Sequence, residues 1–339
     1  MALLFCDGFD SYSATADFTK KWYYSPSNFS YNATGGRFGG GAAQGGNGQD
    51  AMQKAFPTPI AAGSTIGFGF WVKYPIGYTG QTVRLTGNAG NFDLLTTVSG
   101  GFLRLVRPGD SAVLMTSTAT IADAQWHWIE LWFTAHYTAT GAATLYIDGI
   151  SQGSISSTAT CQNSSVFPLT LFHMFCNNTL NVFYDDFIVW DSTGSDFNTS
   201  PIGPQRITTL TPNGDGASLQ FTTNSGTTHY TQVTGGYSSA NYVEDGGTGN
   251  IDLYDHTDLS YTPSTIKAVV ANYWAQNPGT GNPNLIAKLR TGGTTISGST
   301  FVLPSGGVNT LYQNAFYKDA AAAAWTAANV NAMQVGIGD

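Results

Sequence analysis

Apolar and polar residues alternate with a period of two at Thr65 to Lys73, Trp126 to His136, Ala143 to Asp148, Leu169 to Cys176 and Val182 to Trp190, which predicts strands facing a core. The segments between them are rich in Gly, Asn and Ser and predict turns. A second set of strands is predicted at Ser218 to Thr223, Thr228 to Val233, Ile266 to Tyr273, Asn284 to Leu289, Asn309 to Ala315 and Met333 to Ile337. Helix is almost absent. The alanine run Ala320 to Ala324 is too short to hold a helix, and Trp325 to Asn331 has room for one or two turns. Between the two sets, Ser192 to Gln205 carries Gly194, Pro201, Gly203 and Pro204 and few residues able to anchor a core. Residues 1–192 therefore read as one domain, 193–205 as a linker and 206–339 as a second domain.

Composition supports an all-β chain. Threonine occurs 43 times among 339 residues, with 20 Phe, 17 Tyr and 8 Trp, while 41 Gly supply turns. The 13 basic residues form no run and the net charge is -8, which leaves no phosphate-neutralising face and argues against nucleic-acid partners. No apolar stretch approaches the ~18 residues of a membrane span. The first ten residues carry no basic leader, so synthesis and assembly in a cytoplasm are expected. Cys6, Cys161 and Cys176 are then read as buried thiols. Triplets such as Asn28-Phe29-Ser30 and Asn177-Asn178-Thr179 carry no weight without a secretory route. The glycine tract Gly35 to Gly48 lacks the Gly-Lys-Ser/Thr of a phosphate loop and reads as a loop or turn.

Two segments, Trp126-His127-Trp128-Ile129-Glu130-Leu131 and Thr144-Leu145-Tyr146-Ile147-Asp148-Gly149, resemble the Trp-His strand and Leu-Tyr-Val-Asp-Gly hairpin of laminin-G or concanavalin A-like jelly rolls. Tyr184 to Asp191 resembles the last strand of such domains, which pairs with the first strand, here Leu3 to Phe9. The resemblance implies an N-terminal concanavalin A-like jelly-roll sandwich, followed by a smaller C-terminal β-sandwich. A wider ordering is similar to tailed-bacteriophage virion proteins. It comprises Phe5-Cys6-Asp7-Gly8-Phe9-Asp10, the Asp185-Asp186 strand, Gly203 to Ile207, Leu210 to Gly216, and Ala324-Trp325-Thr326 with Val330-Asn331-Ala332 and Val335-Gly336. That likeness implies a virion structural protein, in a tail or fibre where it contacts other virion proteins, forms a homo-oligomer and adheres to host-surface polysaccharide. Capsid decoration is the alternative, and a glycan hydrolase the third reading.

Candidate chemistry is sparse. Glycoside hydrolysis needs two carboxyls roughly 5–9.5 Å apart. The glucanase string Glu-x-Asp-x-x-Glu is missing, and the only Glu besides Glu130 is Glu244, in the second domain, so the chain is expected not to be an enzyme. The five histidines show no metal-ligand spacing, and no Gly-x-Ser-x-Gly elbow occurs. Strand alternation places Asp185 and Asp186 on opposite faces, which denies them an acid–base partnership. Capping turns or accepting backbone N–H groups is the favoured use of these aspartates, and no cofactor is expected; as a side hypothesis, Asp7 or Asp10 meets Asp185 or Asp186 across the first and last strands and holds Ca²⁺ through oxygen. Finally, Ile129, Leu131 and Phe133 alternate with Trp128, Glu130 and Trp132. If Thr65 to Lys73 lies beside them, Trp71, Trp128 and Trp132 with Glu130 form an aromatic platform for glycan or partner, unless a loop or domain covers it.

Overall fold

The computed structural model describes residues 3–24, 29–46, 50–176, 180–194, 201–235 and 240–339. It is an all-β protein that divides into two compact units, Met1–Thr209 and Leu210–Asp339. Asn28 of the first triplet, the whole triplet beginning at Asn177, residues 47 and 48 of the glycine tract and 195–200 of the expected linker lie outside the described residues.

Two antiparallel sheets build the first unit. One runs in the order Ile150–Thr158, Gly141–Ile147, Trp126–Thr134, Thr65–Lys73, Val182–Asp191, Ala42–Gly45 and Phe29–Asn32, with Leu3–Asp7 also paired to Val182–Asp191. The other runs Val113–Thr120, Phe102–Val106, Gly90–Thr97, Gly80–Gly87, Leu169–Cys176, Asp50–Ile60 and Tyr23–Tyr24. The pairing of first and last strands follows the jelly-roll expectation. Alternate residues from each sheet meet between them: Phe68, Phe70, Ile129, Leu131 and Phe133 from one, and Val83, Leu85, Leu103, Phe172 and Met174 from the other, all fully buried in one cluster. Phe187 stacks between Phe70 and Phe172, at 5.4 and 5.9 Å, and joins the two sheets. Cys6, Cys161 and Cys176 are buried thiols, and burial pushes Cys6 and Cys161 up to about 12.

The second unit holds a sheet in the order Pro212–Leu219, Ile251–His256, Gln334–Gly338, Asn284–Thr291 and Thr294–Val302, with Val269–Ala275 and Thr310–Phe316 paired separately. Its core gathers Leu285, Ala287, Leu289, Phe316, Trp325, Val330 and Val335. Two expectations fail here, both through side-chain carboxyls that capture backbone N–H groups. Thr228 to Val233 is not a strand: Asp215 accepts from His229 N and Tyr230 N, as a cap does, and Tyr230–Val233 forms a helical turn. Ser218 to Thr223 is interrupted where Asp252 Oδ1 accepts from Gln220 N at 2.6 Å, which it shares with Ile251 O, and from Phe221 N at 2.8 Å. Among the described residues, no helix is long and apolar enough to cross a membrane.

Candidate functional site

The two strands expected to be neighbours are neighbours. Trp128 sits opposite Trp71 and Glu130 opposite Gly69 in the register of Trp126–Thr134 with Thr65–Lys73. The face they share is not an open platform. Residues 202–207, most of them in the stretch expected as a linker, run along it as a strap and belong to the first unit. Glu130, with no exposure, accepts from Ile202 N at 2.8 Å and Gly203 N at 3.0 Å, and from the indole N–H of Trp132 at 2.8 Å. Trp71 Nε1 donates to Gln205 O at 2.8 Å. Trp71 and Trp128 are therefore buried, with ring centroids 5.8 Å apart, and Trp132 packs edge-on to Trp190 at 5.6 Å. Gly67 and Gly69 make this possible, since a Cβ at Gly67 would stand 2.0 Å from the Trp190 ring and one at Gly69 2.6 Å from Trp128. Glu130 is a buried tether that holds the strap.

The four aspartates separate into one and three. Asp7 is buried and its oxygens are taken by the Tyr12 hydroxyl, Trp22 Nε1 at 2.7 Å, Lys21 Nζ at 3.1 Å and Phe9 N at 3.1 Å, which leaves it no part in a metal site. Asp10, Asp185 and Asp186 line a cleft of about 220 Å³ together with Phe38, Arg206 and Ile207. The expectation that Asp185 and Asp186 face opposite ways is corrected by the backbone. Pairing to Thr65–Lys73 shifts between Asp185 and Ile188, and Asp186 adopts φ 49°, so alternation breaks where the two meet. Desolvation raises both carboxyls above the usual range, and for Asp186 the neighbouring Asp185 adds to it. Asp185 is eased by Arg37 N at 2.7 Å and Asp186 N at 2.8 Å; Asp186 has Ile207 N at 2.7 Å on Oδ1, while its buried Oδ2 has no partner. No three His, Cys, Asp or Glu side chains among the described residues are grouped to hold a metal ion.

Sequence reasoning missed a third place, the outer face of the second sheet. Tyr23 pairs with Gln53, Gln53 with His173, His173 with Arg84, and Arg84 with Asp93. Directly opposed residues share a face. Five chemically different side chains thus form one row across five strands, a span of about 19 Å at ~4.8 Å per strand. Tyr23, at one end, is 78% exposed. Arg84 donates to Asp93 Oδ1 at 2.9 Å, and its guanidinium lies 4.1 Å from the centroid of the Phe175 ring. The signal available in sequence was the polar alternation Thr82, Arg84, Thr86 in Gly80–Gly87 and a lone His173 within Leu169–Cys176. Neither shows its partners, which come from strands distant in sequence.

No family model matches the chain, and no curated protein matches it. Solved structures do. An endo-beta-1,4-glucuronan lyase from Trichoderma reesei shares 16% identity over 55% of this chain and 95% of its own, with a TM-score of 0.41. The alginate lyase Aly36B shares 10% over 54% and 95%, with a TM-score of 0.39. A carbohydrate esterase from the Shiga toxin-encoding bacteriophage phi24B shares 15% over 56% and 97%, with a TM-score of 0.39. At these identities and scores the likeness concerns the fold and assigns no activity. It does correct one expectation. Lyases and an esterase appear among the similar structures, so missing paired glutamates cannot be read as absence of catalysis. That argument excluded a single mechanism, two-carboxyl glycoside hydrolysis, and elimination or ester hydrolysis does not depend on it.

Proposed function

We propose that the first unit binds a polysaccharide along the Tyr23–Gln53–His173–Arg84–Asp93 row, and that the chain does so as a component of a tailed-phage virion. The observation that carries the binding reading is the row itself: an exposed aromatic ring at one end, then amide, imidazole, guanidinium and carboxylate in register. An extended polymer of sugar rings offers alternating apolar faces and hydroxyls, and an aromatic plane with spaced donors and acceptors answers both. The opposite sheet is less favourable, because strap 202–207 engages Glu130 and Trp71 there. Tyr23→Ala and Arg84→Ala should each weaken retention of the full chain on host envelope polysaccharide. Equal retention by both variants would reject the row.

The virion reading rests on the ordered segments from Phe5 to Gly336 described above, and on nothing in the fold. In it the protein is made in the host cytoplasm, oligomerises on the particle and gains avidity from repeated weak contacts. Immunolabelling of particles tests it: label on tails or fibres supports the adhesion role, label on heads alone favours capsid decoration, and label on neither rejects both.

A further inference from the structure

The two ring nitrogens of His173 are treated unequally. Thr86 Oγ1 donates its one proton to Asn91 Oδ1 and lies 2.6 Å from His173 Nε2. At that second contact the hydroxyl can only accept, so Nε2 carries the proton. Burial, with Arg84 opposite adding to it, pushes the imidazole down to about 4, which keeps the ring neutral near pH 7. Nδ1 is therefore a bare lone pair, and it is buried without a hydrogen-bond partner among the described residues, in a residue only 2% exposed. Orphaned buried acceptors of this kind are rare in folded proteins and call for a physical explanation.

We infer that His173 Nδ1 accepts a hydroxyl proton from a neutral sugar, so that this face takes neutral, hydroxyl-rich polysaccharides and not polyuronates. The inference rests on the reading of the row as a polysaccharide site and specifies its ligand. A sugar hydroxyl both donates and accepts: it gives its proton to Nδ1 and receives one from Gln53 or from the terminal N–H groups of Arg84, the two residues that flank His173 in register. A carboxylate can accept from Arg84 but has no proton for Nδ1. It also meets Asp93, which already engages Arg84 and accepts from Gln81 Nε2 at 2.9 Å. Gln53 and Arg84 flank it and are half-buried, so the inference requires one of them to swing aside for the hydroxyl to reach Nδ1.

The test uses the full chain in affinity electrophoresis through dextran, galactan, mannan and, as the charged arm, polygalacturonate. Retardation by at least one neutral polymer and none by polygalacturonate is expected. His173→Gln should weaken the neutral interaction about five- to tenfold, the effect of one buried hydrogen bond. Thr86→Val, which releases the tautomer, should weaken it by less. A second measurement does not depend on any variant folding. Wild-type binding should hold from pH 8 to pH 5 and fall near pH 4, where Nδ1 takes a proton. Arg84 is the charged group that faces it, Gln53 on the other flank carries no charge, and Asp93 lies one strand beyond. Preference for polygalacturonate, or unchanged affinity in His173→Gln with no loss near pH 4, overturns the ligand assignment and leaves the row standing. Retardation by none of the polymers overturns the row as well.

Discussion

Glu130→Gln tests how the strap is held. The carboxylate accepts three hydrogen bonds of 2.8 to 3.0 Å, from Trp132 Nε1, Ile202 N and Gly203 N, and a longer contact of 3.5 Å from Trp128 Nε1. Glutamine keeps one oxygen, which can still serve Trp132 and Ile202 on the Oε1 side. Its amide nitrogen then points a donor at the N–H of Gly203, so that hydrogen bond is lost and the N–H stays buried. A hydrogen bond to a charged group contributes about 1.5–3 kcal/mol, and the two surviving bonds fall to the neutral range of about 0.5–1.5. Glutamine costs less to desolvate, which offsets part of this. The net loss should be about 2–3 kcal/mol.

Urea unfolding followed by tryptophan fluorescence reads that loss. With a slope of about 2–3 kcal/mol per molar, the midpoint of the first unit should fall by about 1 M. Limited proteolysis should cut near 201–207 in the variant before it cuts the wild type, because the strap loses a tether while the sandwich core, made of different residues, is untouched. A midpoint shift below about 0.2 M with an unchanged cleavage pattern would show that the strap is held by packing on the tryptophans, and that the Glu130 hydrogen bonds add nothing.

Four further outcomes are expected. His127 bridges Asp148, 2.7 Å from Nδ1, and Asp123, 3.1 Å from Nε2, and the Asp148 hydrogen bond, with help from Asp123, raises the imidazole above its usual value. Its contribution is therefore complete below about pH 6.5 and lost as pH climbs through the raised value, so the stability gap between wild type and His127→Gln should close between pH 6 and pH 9; a gap that widens with pH would contradict it. Asp186 runs the opposite way: a carboxyl raised by burial and by Asp185 destabilises the fold as pH rises above about 4, so Asp186→Asn should raise the melting temperature at pH 8 more than at pH 4. Calcium should leave the wild-type melting temperature unchanged, and a rise that Asp186→Asn removes would show that Asp10, Asp185 and Asp186 converge on a cation after all. Gly67→Ala should cost roughly 1–3 kcal/mol, since its Cβ would stand 2.0 Å from the ring of a fully buried Trp190; a fully wild-type melting curve would mean that the indole moves freely.

Strands with one apolar and one polar face were legible in the sequence, because a period of two is a local property that survives without knowledge of neighbours. Thr65–Lys73 and Leu169–Cys176 are found where the pattern puts them. Strands at sheet edges were not. Val113–Thr120, Ile150–Thr158 and Thr294–Val302 are rich in Ser and Thr because an edge strand buries less apolar surface, and their periodicity is faint. Asp50–Ile60 hid behind Pro57 and Pro59, which fall where its pairing to Leu169–Cys176 shifts register.

By itself the sequence determined the strand class, the adjacency of first and last strands through the resemblance, and the inward faces of the strongly alternating segments. What each outward face does was decided only in three dimensions. Whether Trp71 and Trp128 meet solvent depends on where residues 202–207 lie, some seventy residues beyond Glu130. Whether Asp185 and Asp186 share a cleft depends on one left-handed φ. The Tyr23–Asp93 row exists only because strands far apart in sequence are neighbours in the sheet. Local patterning follows from energies between a residue and its nearest chain neighbours, whereas a surface is assembled from residues that only the folded backbone brings into register.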